Sequence, residues 1–410
     1  MPEGVTTYSA VVTTLIYCRP GCGARPAAEN VRTFELAAAA EAAGFRACLR
    51  CRPYRSASPI AATAPELVCR AVQLIIEGVL DAGTEASLGA RLAVSPRHLR
   101  RIFSQQLGIT PDQLARSRRA HFARRLLDDT DLTVADVAFA SGFASIRQFN
   151  RQVREVFRAP PGELRGRRRR SDRLAADGGL TLRLPFEPPY DWDSIAAFFA
   201  DRAVPGVESV SGQVYRRTIS LDGAPGMLEV EPGGADHLLL RVHLPYWEGL
   251  IHVTERAARM VGADASPDVR APGAWGPFEA AVQAVLAQEC DDPGETGRRL
   301  GELVRQFGLP VPGLTHGLTH LFPSADVLAR GDLTALDLPP ATVTSLTGLA
   351  AGVAAGQIML AHSARSADLN ASLTAVPGVK PATARAIALR LGHRNLIGAD
   401  QQARPAVAYT

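Results

Sequence analysis

Apolar residues recur at helical spacing once the first sixty residues of the chain have passed. They begin with Val68, Val72, Ile75, Ile76 and Leu80. The helical pattern closes at Ala159-Pro160-Pro161-Gly162. From residue 178 to about 255 it gives way to short apolar runs, which predict β-strands around one helix at residues 192–199. From about residue 275 the helical pattern returns and continues to the end of the chain.

These changes of pattern predict a multidomain fold that is mainly α-helical with small α+β parts. A chain of 410 residues is too long for one hydrophobic core. We place the predicted domains at residues 1–56, 66–166, 178–260 and 270–410.

Charge is distributed unevenly along the chain. Between Arg97 and Arg170 the sequence has 17 Arg against 7 Asp and Glu, although the net charge of the whole chain is only +4. Such a concentrated basic segment is typical of nucleic-acid binding. No apolar run of about 18 residues and no signal pattern occurs, so we expect no membrane partner and a cytoplasmic, nucleoid-associated location.

Four of the six cysteines lie in the first 51 residues as two close pairs. Cys18 and Cys22 are separated by three residues, and Cys48 and Cys51 by two. In a cytosolic protein this grouping favours a metal over disulfides, and four thiolates suit tetrahedral Zn²⁺. A purely structural zinc site and a reactive one are both compatible with the spacing.

The residues around these pairs resemble the N-terminal domain of the Ada family, which repairs methylphosphotriesters in DNA. The resemblance rests on the strings Tyr17-Cys-Arg-Pro-Gly-Cys22, Glu29-Asn-Val31 and Ala43-Gly-Phe-Arg-Ala-Cys-Leu-Arg-Cys-Arg-Pro53. It implies that Cys18 is both a zinc ligand and the methyl acceptor. The nearby arginines are expected to hold the DNA backbone; they are Arg19, Arg46, Arg50 and Arg52.

Two helix-turn-helix units are predicted inside the basic segment. Ser95 suits the N-cap and Pro96 the first position of one helix, and Thr110 with Pro111 starts the long connecting helix. In the second unit, Gly142 can end one helix in the left-handed conformation before Ser145 starts the next. We expect Ser145 and Gln148 to form a capping box, as Thr133 and Asp136 do one helix earlier. The residues expected to reach DNA base edges are Arg97, His98, Arg101, Arg147, Gln148 and Arg151.

This segment resembles the DNA-binding domain of AraC-type regulators. The resemblance covers about 100 residues and is carried by Asp136-Val-Ala-Phe-Ala-Ser-Gly-Phe143, Phe149-Asn-Arg151 and Pro160-Pro-Gly-Glu-Leu-Arg165. It implies that the chain binds promoter DNA as a transcription activator, with RNA polymerase as a further partner.

A short turn at residues 376–384 joins two apolar helical patterns near the end of the chain. It resembles a helix-hairpin-helix, in which backbone N–H groups hold a DNA phosphate without reading sequence. Gly378 and Lys380 are the residues expected at that phosphate. The same pattern also fits an ordinary turn between two helices.

Residues 178–410 resemble 3-methyladenine DNA glycosylase II. The resemblance rests on Val204-Pro-Gly-Val-Glu208, Tyr215-Arg-Arg-Thr218, the helix that ends at Gln288, and Leu321-Phe-Pro-Ser324. It implies that Asp400 supports cleavage of the bond to an alkylated purine in double-stranded DNA. Lys380 replaces the second glycine of the hairpin, and Ala382 replaces a pocket tryptophan. The family continues for several more helices after this aspartate, whereas the sequence ends ten residues after Asp400, at Thr410; the resemblance therefore implies a cleft open to water.

Three functions are therefore compatible with the sequence. The first is a zinc-thiolate methyl acceptor coupled to transcription regulation of the alkylation response. The second is a 3-methyladenine glycosylase that the front modules deliver to DNA. The third is a DNA-binding fusion without catalysis.

Overall fold

The computed structural model describes residues 7–56, 64–174, 178–290 and 292–393. The first part is a small sheet with one short helix, α1, at Ala37–Ala42. Its strands are β1 (Tyr8–Val11), β2 (Ile16–Cys18), β3 (Val31–Phe34) and β4 (Arg46–Ala47). They are ordered β3-β1-β2-β4, and only the β2–β4 pair is parallel. Pro53–Arg55 forms a 3₁₀ turn at its end.

Seven helices follow and contain both predicted helix-turn-helix units. They are α2 (Glu66–Ile76), α3 (Glu85–Leu92), α4 (Pro96–Leu107), α5 (Pro111–Asp129), α6 (Val134–Ala140), α7 (Ile146–Phe157) and α8 (Pro161–Gly166). The predicted caps are present: Thr110 and Thr133 each form a capping box at the start of α5 and α6. Local sequence therefore sets where these helices begin.

The third part is an antiparallel five-stranded sheet with two helices, one between its first and second strands and one after its last strand. Its strands are β5 (Leu180–Pro185), β6 (Glu208–Ser211), β7 (Val214–Leu221), β8 (Ala224–Gly234) and β9 (His237–His243), in the order β5-β9-β8-β7-β6. Its helices are α9 (Trp192–Arg202) and α10 (Leu250–Met260). The strands predicted from residue 178 onwards are confirmed.

The last described part is helical, with one exception to the prediction. Its helices are α11 (Pro277–Ala287), α12 (Pro293–Phe307), α13 (Ala325–Arg330), α14 (Pro340–Ala354), α15 (Ser366–Thr374) and α16 (Pro381–Arg390). Between α12 and α13, two short strands, β10 (Leu309–Pro310) and β11 (His320–Leu321), pair antiparallel. The sequence pattern did not predict them, since two residues are too few to show an alternation.

The buried residues form three cores that join these parts. The largest contains Tyr17 of the first sheet, Leu126 of α5 and Leu240 of the five-stranded sheet. A second runs from Val204 to Leu391, and a third packs α2 to α4 against Leu36 and Ala38. The cysteine module (residues 7–56) thus packs directly on the helical domain (α2 to α8). The fold is multidomain and mainly helical with small sheets, as predicted.

Candidate metal centre and nucleic-acid interfaces

The two cysteine pairs meet because their strands pair. Cys18 ends β2 and Cys48 directly follows β4, and the parallel register sets Tyr17 beside Ala47. The Cys48 N–H donates to the Tyr17 carbonyl at 2.9 Å. The Sγ atoms of Cys18, Cys22, Cys48 and Cys51 all lie within 4.8 Å of one another. In the described part of the chain, this is the one cluster of three or more possible ligand groups.

This cluster fits a zinc ion. Four sulfurs at about 2.3 Å from a tetrahedral Zn²⁺ lie about 3.8 Å from each other, close to the arrangement here. Burial raises the pKa of the Cys18 thiol and raises that of Cys51 to about 12. Both would therefore be protonated at neutral pH unless a cation lay among them. Cys18 is the most buried of the four, with 6% of its surface exposed.

The arginines beside the cluster differ in their surroundings. Arg50 is exposed, and Arg19 is half-buried with its guanidinium donating to Ser56 Oγ at 2.9 Å. Arg52 is buried and lies 2.6 Å from the carboxylate of Asp172. The expectation that Arg52 holds the DNA backbone is therefore wrong, because its guanidinium is used inside the protein.

Arg52 belongs to a network of buried charges that connects the cysteine module with α5, residue 172 and β5. Asp128 of α5 lies 2.9 Å from Arg124 and accepts a hydrogen bond of 2.9 Å from the Tyr54 hydroxyl. The neighbouring carboxylate, Asp129, has its own partners. These are Arg55 at 2.9 Å and Arg183 of β5 at 2.5 Å. A second connection joins Tyr17, Glu41 and His121 of α5. The sequence did not reveal these partners, because most are more than fifty residues apart.

The first helix-turn-helix unit leads into α4. Ser95 Oγ accepts the His98 N–H at 3.2 Å, and Pro96 is the first helical residue. Leu99 and Phe103 are buried, so the opposite face of α4 is exposed. That face carries Arg97 and Arg101, with His98 half-buried and 3.2 Å from Arg101.

The second unit leads into α7. Gly142 has a φ of +77°, and a Cβ on it would lie 2.6 Å from Asp81 Oδ2, so glycine is required there. Ser145 caps α7 through the Gln148 N–H at 3.2 Å. The predicted capping box is wrong in one detail: Gln148 Oε1 accepts the N–H of Ala144 rather than that of Ser145.

The exposed face of α7 is more extensive than predicted. Arg147 and Arg151 are exposed, and a shallow groove beside them is also lined by Asn150, Arg154, Glu155 and Arg158. The sequence interpretation missed Arg154 and Arg158. Arg154 lies seven residues after Arg147 on the same helix, and Arg158 directly follows the end of that helix; this spacing was a signal that could have identified them.

The predicted hairpin lies between α15 and α16. Gly378 has a φ of +81°, and a Cβ there would lie 2.4 Å from Ser345 Oγ. The Gln288 side chain, directly after α11, stabilises the turn with two hydrogen bonds. Its amide N–H donates to the Gly378 carbonyl at 3.0 Å, and its amide oxygen accepts from the Thr383 hydroxyl at 3.0 Å. The Lys380 ammonium lies 2.9 Å from Glu289, so its charge is already partnered. Asp400 lies outside the described residues.

A buried arginine joins the five-stranded sheet to the helices that follow it. Arg217 of β7, 1% exposed, lies 3.1 Å from Glu208 and 2.8 Å from Glu279 of α11. The Tyr215 hydroxyl also donates to Glu208, at 2.5 Å. Because both carboxylates and the guanidinium have partners, this cluster is best explained as the connection between the two parts.

A four-cysteine metal cluster, two capped helix-turn-helix units and an α+β domain joined to a helical hairpin domain define a DNA-binding regulator fused to a repair-enzyme half. Comparison with protein families agrees. The metal binding domain of Ada matches residues 5–54, a helix-turn-helix domain matches residues 88–167, and the AlkA N-terminal domain matches residues 181–271. DNA is therefore a partner of the chain. No helix among the described residues has the length and apolarity that crossing a bilayer needs.

Curated relatives match the whole chain or one part of it. The bifunctional transcriptional activator/DNA repair enzyme AlkA of Mycobacterium tuberculosis is 37% identical over 406 residues, which cover 93% of this chain and 82% of the relative. AdaA of Bacillus subtilis is 32% identical over 35% of this chain and 66% of its own length. DNA-3-methyladenine glycosylase 2 of Escherichia coli is 27% identical over 50% of this chain and 79% of its own length. The chain belongs to the family of bifunctional transcriptional activator/DNA repair enzymes represented by the mycobacterial AlkA protein.

Proposed function

We propose that the chain accepts methyl groups from DNA methylphosphotriesters at Cys18 and uses the product state to regulate transcription. The observation that carries this proposal is the gathering of four Sγ atoms within 4.8 Å of one another at the ends of β2 and β4. A structural zinc site would need the same four sulfurs. The match to the metal binding domain of Ada favours the reactive form.

The chemistry follows from the state of the Cys18 sulfur. Burial keeps the pKa of this thiol high, and zinc bound by the four cysteines would supply the positive charge that holds their sulfurs as thiolates. The Cys18 thiolate forms a bond to the methyl carbon while the bond from that carbon to the phosphate oxygen breaks. The oxygen keeps the electron pair, so the DNA regains a phosphodiester charge and Cys18 becomes a neutral thioether. Nothing restores the thiolate, so each protein molecule acts once.

Loss of one negative charge beside bound DNA supplies the signal for regulation. A less negative cysteine module repels DNA phosphates less, which favours binding of α4 and α7 to a promoter. RNA polymerase is the proposed partner at that promoter, and association with the nucleoid follows from DNA binding. The proposed domains are residues 1–56, 66–166, 178–260 and 270–410, and the proposed base-reading residues are the six on α4 and α7.

Peptide mapping by mass spectrometry tests the methyl-transfer step. After incubation with DNA that carries methylphosphotriesters, we expect one added methyl group, about 14 Da, on the peptide that contains Cys18. The variant Cys69→Ser, outside the cluster, should take up the methyl group normally, and Cys18→Ser should not. An adduct on the more exposed Cys22, Cys48 or Cys51, or no adduct at all, would contradict the proposal.

Glycosylase activity is the second candidate function. The match to the AlkA N-terminal domain and the required glycine at 378 favour it, whereas the pairing of Lys380 with Glu289 weakens the phosphate site. Release of free alkylated purine from methylated DNA by the full chain, lost in Asp400→Asn, would support this activity. Release that Asp400→Asn leaves unchanged would contradict the role of Asp400, and no release at all would leave DNA binding as the role of this half.

A further inference from the structure

A cavity of about 230 Å³ lies where the cysteine module, the helical domain and the five-stranded sheet domain meet. One face of α5 forms its floor, through Leu114, Ser117, Arg118, His121, Phe122 and Arg125. Leu36 comes from the cysteine module, Leu184 from β5 and Ala258 from α10. No residue of the proposed methyl-acceptor or DNA-reading sites lines it.

Arg125 is the unusual group in this cavity. Its guanidinium lies over the Phe122 ring, 5.1 Å from the ring centre. Among the described residues, none forms a hydrogen bond or ion pair with the Arg125 guanidinium. Arg125 is half-buried; burial lowers its pKa, and the charges of Asp129 and Glu255 oppose this effect.

The carboxylates nearest to Arg125 form ion pairs with other arginines. Glu255 pairs with Arg118. Asp129, one turn further along α5, pairs with Arg55 and Arg183. Asp264, at the rim of the cavity, lies 3.9 Å from Arg259. Among the charged residues that line the cavity, Arg125 is therefore the one without an ion-pair partner in the described part of the chain, so its guanidinium can bind an anionic ligand.

The walls restrict what can neutralise this charge. About half of the lining side chains are apolar, including Leu36, Leu114, Phe122 and Leu184. The volume equals that of about seven or eight water molecules and is below the range of about 300–1,000 Å³ for drug-sized ligands. A planar carboxylate can accept two hydrogen bonds from one guanidinium.

We propose that this cavity binds a small organic acid, with the carboxylate on Arg125 and the apolar body against Leu114 and Leu184. Because its walls come from three parts of the chain, an occupant stabilises the arrangement of the cysteine module on the helical domain and the sheet domain.

Benzoate is a suitable probe, since it combines a carboxylate with one small ring. Calorimetric titration of the full chain, with chloride at equal ionic strength as reference, should give saturable binding at one site. Arg125→Met should weaken benzoate binding at least about tenfold, because a charge-assisted pair of hydrogen bonds is lost. Arg305→Met, which removes an exposed arginine of α12 outside the cavity, should leave the affinity unchanged.

Two further measurements separate ligand binding from a folding defect. Without benzoate, Arg125→Met should unfold at about the same temperature as the parent chain, since Arg125 forms no hydrogen bond or ion pair with the residues that the structure describes, and the variant therefore loses none. Ala258→Leu should fill the cavity and abolish benzoate binding while Arg125 remains. The proposal is overturned if the parent chain does not bind benzoate, if Arg125→Met binds it equally well, or if phosphate binds and benzoate does not.

Discussion

The guanidinium of Arg52 lies 2.6 Å from the carboxylate of Asp172, and both side chains are almost completely buried. Arg52 directly follows the metal-ligand candidate Cys51, whereas Asp172 lies beyond the last helix of the DNA-binding domain. Arg52 adopts a left-handed backbone conformation with a φ of +49°, which marks the point where the chain leaves the cysteine cluster. The pair therefore connects the cysteine cluster with the end of the DNA-binding domain.

Breaking this pair should destabilise the junction strongly. Asp172→Asn leaves the Arg52 charge buried with a weaker partner, so we expect a loss of about 3 kcal/mol in the free energy of unfolding. Asp131→Asn is the matched control, because Asp131 also pairs with arginines but is 49% exposed, and its loss should cost less than about 1 kcal/mol. Urea unfolding of the three proteins measures both differences. Equal losses in the two variants would contradict the assigned importance of the pair.

The same pair predicts a dependence on acid. Burial alone would raise the pKa of Asp172, but hydrogen bonds from Arg52 and from the Arg169 N–H bring it below its ordinary value of 3.8. A carboxyl whose pKa is lower in the folded state stabilises the fold above the unfolded value, and this contribution is lost as the pH falls through the folded value. The stability difference between the parent chain and Asp172→Asn should therefore be full at pH 6 and smaller at pH 3. A constant difference would contradict the account.

A second contact between domains should respond to pH in the opposite direction. His252 of α10 lies 2.7 Å from Asp81 in the loop between α2 and α3. Burial lowers the pKa of His252, but the hydrogen bond and charge of Asp81 outweigh it and raise the pKa above 6.5. The stabilisation is then complete below pH 6.5 and is lost as the pH rises through the folded value.

His252→Gln should accordingly lower the free energy of unfolding by about 1 kcal/mol at pH 6 and by less at pH 9. His237→Gln, which affects an exposed contact with Asp236, serves as the control at both pH values. Thermal or urea unfolding midpoints provide the measurement. An equal loss at pH 6 and pH 9 would show that the charge of His252 has no part in the contact.

The face of α7 should determine both the strength and the salt dependence of DNA binding. If the chain neutralises about eight phosphates, the logarithm of the affinity should fall with the logarithm of salt concentration with a slope of about −7. Arg151→Gln should weaken binding to a specific site roughly tenfold or more, whereas Arg305→Gln should not. Arg154→Gln and Arg158→Gln should each reduce the steepness of the slope by about 1. A slope near zero would contradict this role of the helix.

The hairpin should bind DNA better when Lys380 is released. Glu289→Gln removes the carboxylate that lies 2.9 Å from the Lys380 ammonium. The freed charge can then neutralise one more phosphate, so the salt slope should become steeper by about 1. Glu302→Gln, which changes a carboxylate paired with Arg298, is the control. Unchanged DNA binding in Glu289→Gln would mean that the hairpin does not contact phosphate.

The features that the sequence predicted well are those determined by nearby residues. Ser95, Thr110, Thr133 and Ser145 each cap the helix that follows them, because a side chain three positions away from its backbone partner defines the cap. The cysteine cluster could also be predicted from the sequence, because two close pairs of cysteines already restrict how far apart their sulfur atoms can lie. The detail at Gln148 was wrong because an amide side chain can reach either of two neighbouring N–H groups.

The features that the sequence did not predict depend on residues far apart along the chain. The sequence interpretation wrongly assigned Arg52 to the DNA backbone. Its actual partner, Asp172, lies 120 residues away along the chain and could not be recognised from the sequence. Lys380 pairs with Glu289 where the end of α11 meets the hairpin. The sequence around either residue alone does not predict this contact. The roles of Cys18 and the DNA-reading residues stay predictions, and Asp400 lies outside the described residues.

The dependence of methyl uptake on zinc tests the central claim most directly. Intact mass spectrometry compares zinc-loaded protein with protein from which a chelator has removed the metal, after both have met methylphosphotriester DNA. We predict one methyl group per zinc-loaded chain and none on the metal-free chain, because burial keeps Cys18 protonated without the cation. Equal methyl uptake in the two samples, or zinc-loaded protein that takes up none, would contradict the account.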